Sequence, residues 1–118
     1  MEEIQKKVKK FNEEREWGKV SEIKDLLLNI NEEVGEFWNI IKWVDVEKQK
    51  ELIEKHKDDV GNFIGDMQYL LLKIAFICNI NSEEETLKVL EEYEKRFPID
   101  KIKQSKHANT LAGGIDEK

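Results

Sequence analysis

The run Leu26-Leu27-Leu28-Asn29-Ile30-Asn31-Glu32-Glu33-Val34-Gly35-Glu36-Phe37-Trp38-Asn39-Ile40-Ile41-Lys42-Trp43 decides how this chain folds. Its apolar residues recur at helical spacing, yet three carboxylates sit among them. At about 100° per residue, with Glu33 as zero, Leu26 falls at about +20°, Ile40 at about −20°, Phe37 at about +40°, Ile30 at about +60° and Ile41 at about +80°. Glu33 is therefore in the middle of the apolar stripe. Glu36 lies about 60° and Glu32 about 100° to one side, so the three acids grade from the stripe to its rim. An unpaired carboxylate in such a place either raises its pKa and becomes neutral or keeps its charge by binding a cation. Two carboxylates one helical turn apart are a common way to hold a hard metal ion.

Working outward, a second stretch repeats the anomaly. With Asp66 at zero, Asp59 and Ile77 fall at about +20°, Leu70 at about +40°, Phe63 at about +60°, Asn62 at about −40° and Lys73 at about −20°. An acid again occupies an apolar stripe, here with a lysine seven residues further on. Two such stripes pack naturally against each other, and their acids then meet. A buried ion pair, for instance with Lys73, is the other way to satisfy Glu33 and Asp66.

The remaining chain reads as further helices. Residues 2 to 16 place Ile4, Val8 and Phe11 on one face, and Trp17-Gly18 stops that helix. The second helix spans about 21 to 43. Asp45 is an N-cap for a polar third segment, 46 to 57, and the apolar fourth helix spans 58 to 79. Ser82, with Glu85 three residues on, forms a capping-box signature for a last helix over 83 to 96, which Pro98 ends. No stretch alternates with period two. The expected fold is all-α, a four- to five-helix bundle in one domain over residues 1 to 100, followed by an irregular, partly mobile tail over 101 to 118.

Composition bounds the function. The 118 residues suffice for one core, 39% of them are charged and 39% apolar, and the net charge is −6. That balance argues against nucleic acid as a partner. No signal peptide and no long apolar window is apparent, so no membrane partner is expected; Cys78 is the single cysteine, and a cytoplasmic location is the default. There is no glycine-rich phosphate loop and no nucleophile elbow. Trp17, Trp38 and Trp43 are by default packing residues, and His56 and His107 sit in polar context with no catalytic role assigned.

Glu32-Glu33-Val34-Gly35-Glu36, followed some thirty residues later by Gly65-Asp66-Met67-Gln68-Tyr69-Leu70, resembles the EExxE and ExxD motifs of the MazG-like all-α nucleoside triphosphate pyrophosphohydrolases. Upstream, Phe11-Asn12-Glu13-Glu14-Arg15-Glu16-Trp17 and the later Ile41-Lys42-Trp43 are similar to the dCTP-pyrophosphatase branch. Lys95-Arg96-Phe97-Pro98 resembles the segment that closes its last helix. The chain departs from the pattern at Phe63, where the first acid of ExxD would stand; Asn62 and Asp59 are then the further oxygen donors on that helix.

The resemblance implies hydrolysis of a (deoxy)nucleoside triphosphate, dCTP-like or modified, to the monophosphate and pyrophosphate. Mg²⁺ or Mn²⁺ would be held by Glu33, Glu36 and Asp66, with Asp59 and Asn62 as further ligands, and Glu32 or Glu33 would act on the attacking water. Lys73, Lys101 and Lys103 would meet phosphates, and Trp17 and Trp43 would stack on the base. It further implies a homodimer or dimer of dimers, with Trp38 and Phe76 covering the interface. The other reading, supported by Phe63, is a catalytically weak or inactive helical module of the same fold that binds nucleotide or protein.

Overall fold

The polar N-terminal helix α1 (Glu2–Glu13) ends where Trp17 N–H and Arg15 N–H both donate to the Asn12 carbonyl, at 2.9 and 3.0 Å. The chain then turns through Glu16 (φ 60°) and Gly18 (φ 102°) into one short 3₁₀ turn, Val20–Glu22, which leads directly into α2 (Ile23–Ile41). The computed structural model describes residues 2–105, and every regular element among them is helical. Both α1 and α2 are shorter than the periodicity suggests. The apolar pattern continues past the backbone turns that break each helix, because periodicity reports the buried face and not the hydrogen bonds.

Lys42 at the end of α2 is extended (φ −64°, ψ 146°) and Trp43 follows at φ 63°. Those are the backbone states of a type II turn, which normally places glycine or asparagine second. A tryptophan there is strained, and it is 87% exposed. Asp45 then caps α3 (Val46–Lys55) as expected, its Oδ1 accepting from Lys48 N–H at 2.8 Å. His56 closes α3 and opens α4 (Lys57–Ile77) with no intervening loop.

The centre of the first unit is α4, which packs against α1 on one side and α2 on the other, with α3 against α2 and α4. Its buried positions Leu70, Leu72 and Ala75 meet Val8 of α1 and Leu26 of α2 in the core. By length and a mean hydropathy of 1.2 this helix is apolar enough to cross a membrane, contrary to the sequence reading. It carries Asp58, Asp59, Asp66 and Lys73, and it is the shared wall between α1 and α2. At its end, Asn79 (φ 56°) lets Ile80 N–H reach the Ala75 carbonyl at 2.8 Å and its own N–H reach Phe76 at 3.1 Å, the pairing of a Schellman cap.

Two polar groups are sealed into this core. Asn12 is 0% exposed; its amide donates to the Val8 carbonyl at 2.8 Å and its Oδ1 accepts from the Tyr69 hydroxyl at 3.3 Å. Gly18 lies against the Phe76 ring, where an added Cβ would stand 2.7 Å from Cζ. Gly18→Ala therefore meets both a left-handed backbone and an aromatic ring, and is expected to cost about 1–3 kcal/mol in urea unfolding. Phe76 is accordingly a half-buried packing residue of this loop.

The chain divides between Asn81 and Ser82 into two compact units. The second holds α5 (Ser82–Arg96) and α6 (Ile99–Ser105). Ser82 is the first helical residue of α5 and not the residue before it. Pro98 does stop α5, but it also starts α6: its carbonyl accepts from Ile102 N–H at 3.0 Å. The irregular tail expected from residue 101 is thus helical as far as Ser105, which makes six helices among the described residues; residues 106 to 118 of that expected tail lie outside them.

Candidate functional site

The two anomalous stripes face each other. Glu33 on α2 and Asp66 on α4 are joined by a side-chain hydrogen bond, and one step along, Phe37 and Phe63 meet edge to face with centroids 5.1 Å apart. As 33 pairs with 66 and 37 with 63, the two helices run antiparallel. Ile40 and Asp59 continue the same register, lining a cleft of about 150 Å³ with Glu33, Glu36, Phe37, Asn62 and Phe63.

Two carboxylates can hydrogen-bond only if they share a proton. Burial, then the charges of Glu36 and Asp66, the hydrogen bond to Asp66 and the charge of Glu32 together raise the Glu33 pKa above the usual carboxylate range. Asn62 supports Asp66, its Nδ2 donating to Oδ2 at 3.1 Å, and Asn62 also lines the cleft. Asp59 is held from the other side by His56, Nδ1 to Oδ2 at 3.1 Å. Glu32 is exposed on the rim.

Phe63, at the position of the resemblance's missing acid, serves packing: its ring fills the space beside Phe37 where a carboxylate would otherwise project. Among the described residues no three of His, Cys, Asp and Glu converge closely enough to hold a metal ion by themselves. The donor chemistry does fit a hard cation. Every polar group facing the cleft offers oxygen, and the carboxylates repel one another until something positive or a proton separates them.

Lys73 is a correction. It was expected to answer the acids on its own stripe or to meet phosphates, but it is 6% exposed and pairs with Glu22 of the 3₁₀ turn, Nζ to Oε1 at 2.8 Å. The other oxygen of Glu22 accepts from Gly18 N–H and Lys19 N–H, both at 2.6 Å. The Lys19 backbone bond first, the hydrogen bond from Lys73 next and the Gly18 bond after it lower the Glu22 pKa to about 2. Lys73 Nζ also lies 5.5 Å from the Trp17 ring centroid, and Trp17 meets Phe11 edge to face at 6.1 Å. Glu22 was missed by sequence reading, although a lysine on an apolar stripe demands a partner as strongly as an acid does.

The two tryptophans expected to stack on the base lie in opposite directions from the meeting of Glu33 and Asp66, and neither lines the cleft. From Asp66 to Lys73, beside Trp17, is seven residues of α4, about 10 Å along its axis. Trp43 lies ten residues beyond Glu33, about 15 Å in the opposite direction because the helices are antiparallel. One nucleotide in this cleft can meet one of them. Trp17 is 50% exposed and held by its loop; Trp43 touches Trp38, with centroids 5.9 Å apart, and is otherwise open. Lys101 and Lys103 are exposed on α6 in the second unit. Comparison with protein-family models, with curated proteins and with solved structures returns no match for this chain.

Proposed function

We propose that this chain is a Mg²⁺-dependent nucleoside triphosphate pyrophosphohydrolase, releasing the monophosphate and pyrophosphate. The observation that carries the reading is the meeting of Glu33 and Asp66 across two antiparallel helices, with Glu36 beside them at one cleft. A shared proton joins only two of these carboxylates, and a divalent ion satisfies more of the cluster's oxygens.

Glu33, Glu36 and Asp66 are the residues that would hold Mg²⁺, with Asp59 and the Asn62 carbonyl as supporting donors. When bound, the ion neutralises phosphate charge and polarises the phosphoryl oxygens. Glu32, exposed at the rim beside them, orients a water toward the α-phosphorus and accepts its proton. Trp17, half-exposed beside Lys73 and so two turns along α4 from Asp66, is the residue that would stack on the base. Its loop is already pinned by Glu22, Asn12 and Phe11, so little ordering entropy remains to be lost on stacking.

The packed Phe63 favours a second reading, a binding module that keeps the cleft without turnover. A panel of natural and modified deoxynucleoside triphosphates with Mg²⁺ separates the two. The expected result is pyrophosphate and monophosphate in equal amounts, abolished by EDTA. Trp17→Ala should raise KM on the order of 10-fold and Trp43→Ala should leave it unchanged. No turnover of any triphosphate, with no Mg²⁺-dependent thermal shift, would establish the binding module instead.

A further inference from the structure

A further cavity of the first unit, about 250 Å³, shares no residue with the carboxylate cleft. Gln5, Lys6 and Lys9 of α1 form one wall. Phe76 of α4 and the residues of its cap, Asn79, Ile80 and Asn81, form the other. Phe76 is ten residues along α4 from Asp66, about 15 Å toward the Trp17 side. The two walls are joined directly: Gln5 Nε2 donates to the Ile80 carbonyl at 2.7 Å, and the Schellman bonds hold Asn79 and Ile80 in place. The Phe76 ring is held at its edge, since Cζ and Cε2 rest against Gly18 with no room for a Cβ. The cavity is thus preformed, and little ordering is needed to fill it.

Its chemistry is the inverse of the cleft's. Glu33, Glu36 and Asp59 line the cleft, whereas no acid among the described residues lines this cavity. Ile4 to Asn12, the stretch of α1 that walls it, holds Lys6, Lys7, Lys9 and Lys10 and no acid, in a chain with a net charge of −6. Lys9 is exposed and makes no ion pair among the described residues, so its charge is available to an incoming anion. The carboxamides of Gln5, Asn79 and Asn81 offer hydrogen-bond donors and acceptors, and Phe76 and Ile80 offer an apolar surface. Positive charge, amide groups and one aromatic ring therefore meet in a single recess.

We infer that this cavity is a binding site for a small aromatic anion, one flat ring carrying a single phosphate or carboxylate. The ring lies against Phe76, and the anionic group is held by the Lys9 ammonium, with Lys6 adding positive potential. Size sets the class. An apolar cavity of about 150 Å³ holds benzene, so about 250 Å³ leaves room beyond one ring for one phosphate or carboxylate. A wholly apolar molecule would cover the lysines and carboxamides without pairing them, and a cation would meet the repulsion of Lys6 and Lys9. An inorganic ion alone would leave Phe76 and Ile80 uncovered.

The inference stands whether or not the cleft hydrolyses nucleotides. The probe is phenyl phosphate, titrated into the full wild-type chain with EDTA present so that no divalent ion at the cleft contributes. Saturable binding is expected, with a Kd on the order of 10⁻⁴ M for a ligand of about eleven heavy atoms. The backbone amide resonances of Lys9, Asn79 and Ile80 should shift, and that of Gly18 with them because Phe76 touches it, while those of Glu33 and Glu36 stay in place. Lys9→Gln, at an exposed position, is expected to weaken binding about 10-fold. Phe76→Leu should weaken it roughly 5-fold and leave the weaker binding of inorganic phosphate unchanged. Benzoate titrated in parallel identifies which anionic group the site prefers, and saturable binding of either compound with these variant effects supports it. No saturation of either at about ten-fold above that concentration overturns the inference. So does affinity unchanged by Lys9→Gln, or inorganic phosphate bound as tightly as phenyl phosphate. Should Phe76→Leu unfold, the Lys9→Gln titration and the amide shifts decide by themselves.

Discussion

Glu33→Gln is expected to lower kcat on the order of 10²–10³-fold while raising the melting temperature at neutral pH, a pairing that few substitutions give. The loss follows from removing the carboxylate at the centre of the proposed metal cluster. The gain follows from linkage. Burial first, and the neighbouring charges of Glu36, Asp66 and Glu32 after it, raise the pKa of Glu33 in the folded state. An acid so shifted favours the folded state below its ordinary pKa, and that advantage is lost as pH rises through the raised value. Above the raised value the ionised side chain is a liability, and glutamine removes the charge while its amide still donates to Asp66. The same reasoning makes Mg²⁺ stabilise the wild-type chain more strongly as pH rises, since the ion replaces a proton. In Glu33→Gln that Mg²⁺-dependent stabilisation should vanish. Pyrophosphate release and thermal melts with and without Mg²⁺ measure both effects, and full activity in the variant would remove Glu33 from the proposed site.

The second large effect belongs to the clamp that ties the α1–α2 loop to α4. Glu22 accepts from Gly18 and Lys19 and pairs with buried Lys73, and its pKa is lowered from 4.5 to about 2. A lowered pKa supplies stability that is complete above about pH 4.5 and is lost as pH falls toward about 2. Glu22→Gln should therefore be less stable than wild type at pH 7, and the two curves should converge near pH 2. The reason is that glutamine can still accept the two backbone bonds but leaves the Lys73 ammonium without a countercharge in a nearly water-free place. Replacing Lys73 by methionine in the Glu22→Gln background should restore part of the loss. Urea unfolding between pH 2 and 7 reads all three chains. Parallel curves for wild type and Glu22→Gln over that range would show that the clamp is not ionic.

How far the sequence discloses this molecule depends on which interactions leave a periodic trace. The helices at α2 and α4 were legible because a buried face repeats every 3.6 residues. The meeting of Glu33 and Asp66 was legible for the same reason: an acid in the middle of a stripe must lie wherever that stripe packs. Asp45 as a cap is a local choice of side chain against backbone and needs no tertiary context. The clamp had no such trace. Glu22 sits in a single 3₁₀ turn, 51 residues from Lys73, and no pattern within either segment names the other. The short helix from Ile99 was hidden because Pro98, which ends one helix, is equally suited to begin the next.

By itself, then, the sequence determined the helical class, the core stripe of each long helix and the pair of acids that share a site, since burial and spacing are local properties of the chain. Only the tertiary structure decided which partner each buried charge received and that Trp17 and Trp43 lie in opposite directions from the meeting of Glu33 and Asp66. The filling of the missing acid's place by Phe63 against Phe37 was settled there too. The physical reason is one of range: periodicity states that a residue must be covered, while the identity of what covers it depends on the antiparallel register of two helices brought together from distant parts of the chain.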